Sequence, residues 1–429
     1  MTVSFYTIGC RLNQAETAVM QQAFTRAGYQ IVGFGKPADL VVVNTCTVTA
    51  KGDTETSKII NKIMHINANT KIALVGCQAQ TQKEKLLALP GVHWVVGNAV
   101  KLELPAIIKE HLHETLLLTP PIPRTLFTMP SAEADDRHTR ANLKIQDGCD
   151  FYCSYCEIPY ARGHSRSREF DDIRQEAETL VRAGHQELIL TGVNVGTYND
   201  NGRTLADVVR SLEMIPGLLR IRISSFEATT FPVEMLPFMA NDHKLCRFMH
   251  ISLQSGCDKI LKLMNRKYTT DEYAEFLLLA HRTVNNICLG TDVIVGFPGE
   301  TDDDFIVTRN YLQELPFTYF HVFSYSDRPN SKSRNLPNKV TPAKIRDRSQ
   351  ILRELSRQKR AHYLHNQVGR IEKVLFEQKK NGWWHGVTDT FIKVKVESSG
   401  HLHNRCLPVR LEQVSDQAML GSLSTNEDE

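Results

Sequence analysis

The chain has 429 residues, which at about 100–200 residues per domain suggests several domains. Its 41% hydrophobic and 23% charged residues are an ordinary globular balance that excludes collagen-like, coiled-coil and disordered classes. The formal charge is only +3, so any nucleic-acid footprint must be local, and no apolar run approaches the about 18 residues of a membrane span. The start, MTVSFYTIGC, lacks a basic segment followed by an apolar core, so the protein is expected in the cytoplasm, with no membrane partner. Thiols stay reduced there, and ten cysteines point to metal ligation or catalysis before disulfides.

From the N-terminus to about residue 125, short apolar runs alternate with helical patterns. FYTIG (5–9), DLVVVNT (39–45), KIALVG (71–76) and HWVVG (93–97) are predicted strands, and 15–27 and 55–66 are predicted helices. This alternation implies βαβ units and a parallel sheet. A proline-rich stretch from Thr119 through the acidic 133–136 segment is expected to be a linker. Alternation resumes with strands expected at 142–146, 187–192, 220–225, 248–253, 288–297 and 318–325, six βα units that fit a partial or complete βα-barrel or a wide doubly wound sheet. Residues 341–365 are expected to form one long basic helix entered through Thr341-Pro342. Beyond Gln367 the β-rich segments RIEKVLFEQ, WWHGVTD, FIKVKVE and CLPVRLEQV, with Gly382, Gly386, Gly400 and Gly421 near turns, suggest a small β-barrel, and STNEDE a disordered tail.

The strongest local signal is CDFYCSYC, which places Cys149, Cys153 and Cys156 on one loop after a predicted strand. Three thiolates can hold three irons of a 4Fe-4S cluster and leave the fourth open to an external ligand, whereas zinc usually needs four ligands in pairs. Buried apolar thiols are the bland alternative. A second trio depends on placement: Cys10, Cys46 and Cys77 each lie just past the carboxyl end of a predicted parallel strand, and such ends share one rim of the sheet. Three structural core cysteines compete with convergence.

CDFYCSYC resembles the radical S-adenosylmethionine (SAM) motif. GC-x-x-N-x-x-E at Cys10, NTC-x-V at Cys46 and GC-x-A/Q at Cys77 are similar to the methylthiotransferase family, and the likeness covers essentially the whole chain. It implies an N-terminal α/β domain (1–125) whose Cys10, Cys46 and Cys77 hold an auxiliary 4Fe-4S cluster. It also implies a radical SAM partial βα-barrel (137–365) whose Cys149, Cys153 and Cys156 hold the SAM cluster, and a C-terminal small β-barrel of the TRAM type (367–429). Cys246, Cys257, Cys288 and Cys406 match no ligand position and are expected to be core or surface thiols. The cofactors implied are SAM and two 4Fe-4S clusters, with no catalytic residue beyond the clusters. By the same resemblance one SAM methylates a sulfur species, and a second yields the radical that opens a C–H bond to methylthio insertion.

Segments after three barrel strands, TGVN (191–194), SLQS (252–255) and GFPGE (296–300), are similar to SAM-contacting segments of the radical SAM family, giving Asn194, Ser252, Gln254 and Gly296 as expected SAM contacts. Tyr155 matches the usual adenine contact, with a packed loop tyrosine as the alternative. The basic run from Pro159 to Arg168 offers bidentate donors to phosphates or carboxylates, or else a solvated face. Between Lys339 and Lys380 there are 12 Lys and Arg against 4 Asp and Glu, the footprint of a polyanion, and Trp383, Trp384 and Phe391 offer stacking surface or barrel core.

NTCTVT (44–49) and PYARG-x-SRSR resemble the subgroup that converts N6-threonylcarbamoyladenosine beside the tRNA anticodon to its 2-methylthio derivative. Expected partners are tRNA, a low-potential electron donor and a sulfur source. Isopentenyladenosine of tRNA or a ribosomal-protein aspartate are alternative substrates. A non-catalytic iron–sulfur RNA-binding or electron-transfer protein is the alternative from another class, distinguished by SAM cleavage under reducing conditions.

Overall fold

The computed structural model describes residues 1–48, 50–130, 139–241 and 243–424. The acidic 133–136 stretch and all of the STNEDE tail but Ser424 lie outside the described residues.

The first unit is built of β1 (Thr2–Thr7), α1 (Arg11–Arg26), β2 (Gln30–Ile31), β3 (Leu40–Thr45), α2 (Ala50–Ile66), β4 (Lys71–Gly76), α3 (Cys77–Leu87), β5 (Val92–Val96), α4 (Leu104–Glu110) and β6 (Leu116–Leu118). The strands form one parallel sheet in the order β2-β1-β3-β4-β5-β6. All six residues of β3, LVVVNT, are buried, as expected of a strand covered on both faces. Two-residue β2 and three-residue β6 extend the sheet beyond the four strands expected; both are too short to carry periodicity.

The second unit opens with β7 (Arg140–Lys144), the paired β8 (Gln146–Asp147) and β9 (Arg166–Ser167), with α5 (Ile158–Arg162) between them, then α6 (Phe170–Arg182). Next come β10 (Glu187–Thr191), the hairpin β11 (Asn199–Asp200) and β12 (Arg203–Thr204), α7 (Leu205–Glu213), β13 (Arg220–Ile223), α8 (Leu236–Ala240) and β14 (Phe248–His250). It ends with α9 (Asp258–Leu263), α10 (Thr270–Thr283), β15 (Cys288–Val295), α11 (Asp302–Glu314), β16 (Tyr319–Ser324) and α12 (Pro342–His365). Strands β7-β10-β13 and β14-β15-β16 are two parallel sheets, joined by bridges Ile221↔Leu245 and Phe226↔Ile251. Six parallel strands therefore follow one another in chain order, with no pairing between β7 and β16 among the described residues, and the barrel is partial. Helix α1 of the first unit packs along β7 and sends Val19 into the barrel's own core, while α12 packs along β16.

The proline-rich connector is not a free linker where it is described. Phe127 bridges to Arg168, and its ring lies 5.0 Å from Lys144 Nζ and 4.9 Å from the Arg166 guanidinium. One aromatic side chain ties the strand down because two cations cover its face.

Strands β17 (Ile371–Lys380), β18 (Trp383–Val387), β19 (Lys393–Glu397), β20 (Cys406–Ser415) and β21 (Ala418–Leu423) close a barrel in the order β17-β18-β19-β21-β20. Gly386 and Gly421, expected near turns, lie inside strands. A Cβ on Gly386 would stand 2.6 Å from the Leu375 carbonyl oxygen, and one on Gly421 2.4 Å from that of Arg410, each beside a β-bulge. This barrel caps the amino ends of the partial barrel's strands. Arg220 donates to the Val387 carbonyl at 2.8 Å, Arg222 to that of Asp389 at 2.7 Å, and Arg247 pairs with the Asp389 carboxylate at 2.6 Å. No helix among the described residues is long and apolar enough to cross a membrane.

Candidate iron–sulfur centres and central cavity

Because β1, β3 and β4 are neighbours, their carboxyl ends bring Cys10, Cys46 and Cys77 together; Cys77 is near enough to Cys10 and Cys46 to disfavour the ionisation of both. Cys10 caps α1 and Cys77 begins α3, so each meets the positive end of a helix. Gly9, at φ +99°, makes room: a Cβ there would lie 2.7 Å from Cys46 Sγ. Burial, then the neighbouring cysteines, push the Cys46 thiol up to about 12. Cys10 lies deep in the protein, yet its surface is open to the cavity described below.

The Asn and Glu of the first motif do different work from the cysteine. Arg162, at the end of α5, donates through Nε to Cys77 Sγ at 3.2 Å, through Nη1 to Glu16 and Asp147 at 3.0 Å each, and through Nη2 to Asn13 Oδ1 at 2.6 Å. Lys101 reaches Glu16 at 2.5 Å, and Lys144 reaches Glu16 and Asp147 at 2.7 Å. Three buried cations thus meet two buried carboxylates, and the surplus positive charge rests against the Cys77 sulfur. Asn13, Glu16, Asn98 and Lys101 belong to the first unit and Lys144, Asp147 and Arg162 to the second, so this network welds the two cysteine-bearing units. Of the basic run, Arg162 and Arg168 are buried against carboxylates, Arg168 on Asp172 and Glu176.

Cys149, Cys153 and Cys156 share one loop, where Cys153 disfavours the ionisation of Cys149 and Cys156, and burial pushes Cys149 up to about 11. Sulfur-directed donors surround them: Phe151 N to Cys149 at 3.5 Å, Ile158 N to Cys156 at 3.4 Å and Arg266 Nη1 to Cys153 at 3.3 Å. The buried Arg266 also pairs with Glu227 and donates to the Tyr155 hydroxyl at 3.3 Å and the Ser252 carbonyl at 3.2 Å. Neither Arg266 nor Glu227 is among the expected site residues; no spacing rule marks an isolated Arg in MNRKY. The other four cysteines lie apart: Cys246, Cys257 and Cys288 are buried and Cys406 half-buried.

The expected SAM contacts fall at strand ends, in differing states. Asn194 is buried; its Oδ1 accepts from Thr230 at 3.0 Å, while its Nδ2 has no partner among the described residues. The hydroxyls of Thr191 and Ser224 on the neighbouring strand ends are orphaned as well, among the described residues. Buried donors without acceptors are rare in a finished core and point to a polar ligand. Gln254 is held at φ +74° by backbone bonds to Asp292 and Ile294, a left-handed residue between parallel strands. Ser252 offers its carbonyl to Arg266 and Tyr268. Tyr155 packs edge-on against Phe297, 6.5 Å between centroids. At Gly296 a Cβ would strike Ile345 of α12 at 2.3 Å, and its amide donates to Glu300 at 2.8 Å.

A cavity of about 820 Å³ runs through the partial barrel. Gly9, Cys10, Arg11 and Cys46 line it from the first unit, Thr191, Ser224, His250, Asp292 and His321 from the strands, and Phe391, Lys393 and Gln417 from the C-terminal barrel. Asp292 Oδ1 joins His250 Nε2 at 3.0 Å and His321 Nδ1 at 3.1 Å. Cys149 borders a separate cavity of about 420 Å³.

Of the two roles expected for the C-terminal aromatics, core packing is the one found for Trp384, and the basic stretch is only partly surface. Trp384 is in the barrel core, and Phe391 is wedged against Phe248 with ring centroids 5.2 Å apart, so neither is free stacking surface. Within the basic stretch, Arg348 is buried on Glu300 and Asp302, and Lys359 caps the Gln313 and Leu315 carbonyls. The cations that remain exposed include Arg346, Arg353, Arg370, Lys373, Lys379 and Lys380.

The donor sets fit two iron–sulfur clusters: two trios of free thiols, each with nitrogen donors aimed at sulfur. Comparison with known proteins agrees. Residues 143–312 match the radical SAM superfamily, and residues 2–97 match the uncharacterized protein family UPF0004. The chain is 35% identical to the threonylcarbamoyladenosine tRNA methylthiotransferase of Aquifex aeolicus, over 92% of this chain and 97% of that protein. It is 33% identical to the protein of that name from Bacillus subtilis, over 96% and 93%. Against the tRNA-2-methylthio-N(6)-dimethylallyladenosine synthase of Thermodesulfovibrio yellowstonii, identity is 32% over 91% and 92%. Among solved structures, the radical SAM methyltransferase TsrM from Kitasatospora setae superposes with a TM-score of 0.55 at 16% identity, covering 75% of this chain and 72% of that one, a likeness of fold.

Proposed function

Since the chain belongs to the radical SAM tRNA methylthiotransferase family, an enzyme class that uses SAM and two 4Fe-4S clusters, we propose that it methylthiolates N6-threonylcarbamoyladenosine beside the anticodon of tRNA. The observation that carries this reading is full-length similarity to threonylcarbamoyladenosine enzymes together with two separate convergent thiol trios.

In this proposal Cys10, Cys46 and Cys77 hold the auxiliary cluster and Cys149, Cys153 and Cys156 the SAM cluster. Tyr155, Asn194, Ser252, Gln254 and Gly296 contact SAM, with the orphaned Asn194 amide offering a donor to one of its polar groups. When bound, an open-iron cluster supplies the electron that cleaves SAM to an alkyl radical able to remove hydrogen from an unactivated C–H. The chain itself orients and shields. Arg266 fixes Cys153, Tyr155 and the Ser252 carbonyl in one hydrogen-bonded set, and Arg162 braces Cys77 against the loop that follows the SAM cysteines. The unit boundaries 1–125, 137–365 and 367–429 are part of the proposal, supported by the separate apolar cores of the two sheet faces, the partial barrel and the C-terminal barrel. A low-potential electron donor, a sulfur source and a cytoplasmic setting complete it.

Mass spectrometry of tRNA nucleosides from cells lacking the protein tests the reading. Loss of the 2-methylthio derivative of N6-threonylcarbamoyladenosine, with the isopentenyl derivative retained, supports it. The opposite pattern assigns the second substrate, which the 32% identical dimethylallyladenosine enzyme keeps in view.

A further inference from the structure

Three arginines gather on one aromatic ring at the cavity floor, and one of the three makes no ion pair among the described residues. Phe391 enters from the C-terminal barrel; the guanidiniums of Arg11, Arg140 and Arg222 lie 5.7, 5.7 and 5.1 Å from its centroid, and Arg360 Nη2 donates to its carbonyl at 3.3 Å. Arg222 Nε is satisfied by Glu187 at 2.7 Å and Arg140 Nε by Glu377 at 2.6 Å. Glu187, the buried carboxylate nearest this group, also lies 4.0 Å from Arg140 and 3.8 Å from Arg220, so three guanidiniums already share it. The Arg11 side chain makes no ion pair or hydrogen bond among the described residues; its guanidinium rests on the Phe391 ring instead.

A half-buried guanidinium stays charged and presents a planar fork that matches a carboxylate or a phosphate. Arg11 lines the same cavity as Cys10, and consecutive Cα atoms are about 3.8 Å apart, so its base stands beside a thiol of the first trio. In a purine, C2 and the N6 substituent flank the same ring nitrogen. A base held with C2 toward that trio therefore carries its N6 substituent along the neighbouring cavity wall.

We propose that Arg11 receives the carboxylate of the threonyl group on the target adenosine, with Lys393 on the same cavity lining adding to the field. This rests on the substrate class proposed above. It also supplies a basis for selectivity, because an apolar isopentenyl substituent leaves the buried fork without an anion, the type of mismatch that sites built for polar groups reject strongly. The shared chemistry is an anion; a phosphate of the tRNA backbone is the other source.

The test is equilibrium binding, under anaerobic conditions, of reconstituted full-length protein to anticodon stem-loop RNA carrying N6-threonylcarbamoyladenosine, its threonyl methyl ester, or plain adenosine at the target position. Wild type should prefer the carboxylate over the ester by about tenfold or more, the scale of a charge-assisted hydrogen-bonded pair. Arg11→Gln should erase that preference without changing affinity for the plain RNA, and Arg11→Lys should keep part of it. Iron content and circular dichroism establish that each variant is loaded and folded. An equal loss on all three RNAs overturns the proposal and assigns Arg11 to a backbone phosphate. An Arg11→Gln protein that keeps the full preference also overturns it. Wild type that binds all three alike overturns the substrate reading itself, a failure visible without any variant.

Discussion

Glu16 shows how much of the site is held by residues that touch no substrate. Its carboxylate is buried beneath Arg162, Lys101 and Lys144, and although burial pushes its pKa up, these three cations hold it well below the usual carboxylate range. Removing one partner of such a network leaves uncompensated charge, so Glu16→Gln should cost about 3–5 kcal/mol in denaturant melts at neutral pH. The sign of the pH dependence follows from the depressed pKa: the stabilisation is complete above the unfolded value near 4.5 and is lost as pH falls toward the folded value. Wild-type stability should therefore drop toward that of the variant in acid. A variant as stable as wild type at pH 7 would show that the network does not hold the units together. Linear order conceals the carboxylate's role beyond its place in a motif, because its partners lie 85, 128 and 146 residues away.

At the scale of elements, strands carried most of the legible information. The apolar runs predicted at 39–45, 71–76 and 187–192 lie within a residue of the observed bounds because fully buried parallel strands are unbroken in composition. Cysteine placement was equally readable, since parallel connections put all carboxyl ends on one rim. The fifth strand of the C-terminal barrel, AMLGSL, was hidden by Gly421, whose composition signals a turn while its geometry serves a close strand approach. Gly421→Ala should push the new methyl into the Arg410 carbonyl and destabilise the barrel by about 1–3 kcal/mol in a thermal melt; an unchanged Tm would mean the bulge relaxes freely. The two cysteine trios should separate chemically. Alanine at Cys149, Cys153 and Cys156 should lower iron from about eight to about four per chain and abolish SAM cleavage. Alanine at Cys10, Cys46 and Cys77 should keep cleavage and abolish methylthio transfer. Loss of cleavage in a folded variant of the second kind would undo this division.

For the whole molecule, the basic stretch is part scaffold and part surface. Arg348 and Lys359 are used inside the protein, so the charge count read along the chain overstates what RNA can meet. Alanine at the exposed Arg370, Lys373, Lys379 and Lys380 should weaken tRNA binding and flatten its salt dependence by about 0.7–0.9 for each phosphate no longer neutralised. An unchanged slope would move the RNA surface elsewhere.

The cap that the small barrel forms over the partial barrel has a consequence for any attempt to recombine these proteins. Phe391, Lys393 and Gln417 furnish the chamber's floor, and Arg220, Arg222 and Arg247 are anchored by backbone and carboxylate of the same module. A chimera that exchanged this module for a relative's would replace part of the chamber along with the exposed cations Arg370, Lys373, Lys379 and Lys380. What looks like an interchangeable appendage in a linear diagram is, in three dimensions, one wall of the reaction vessel.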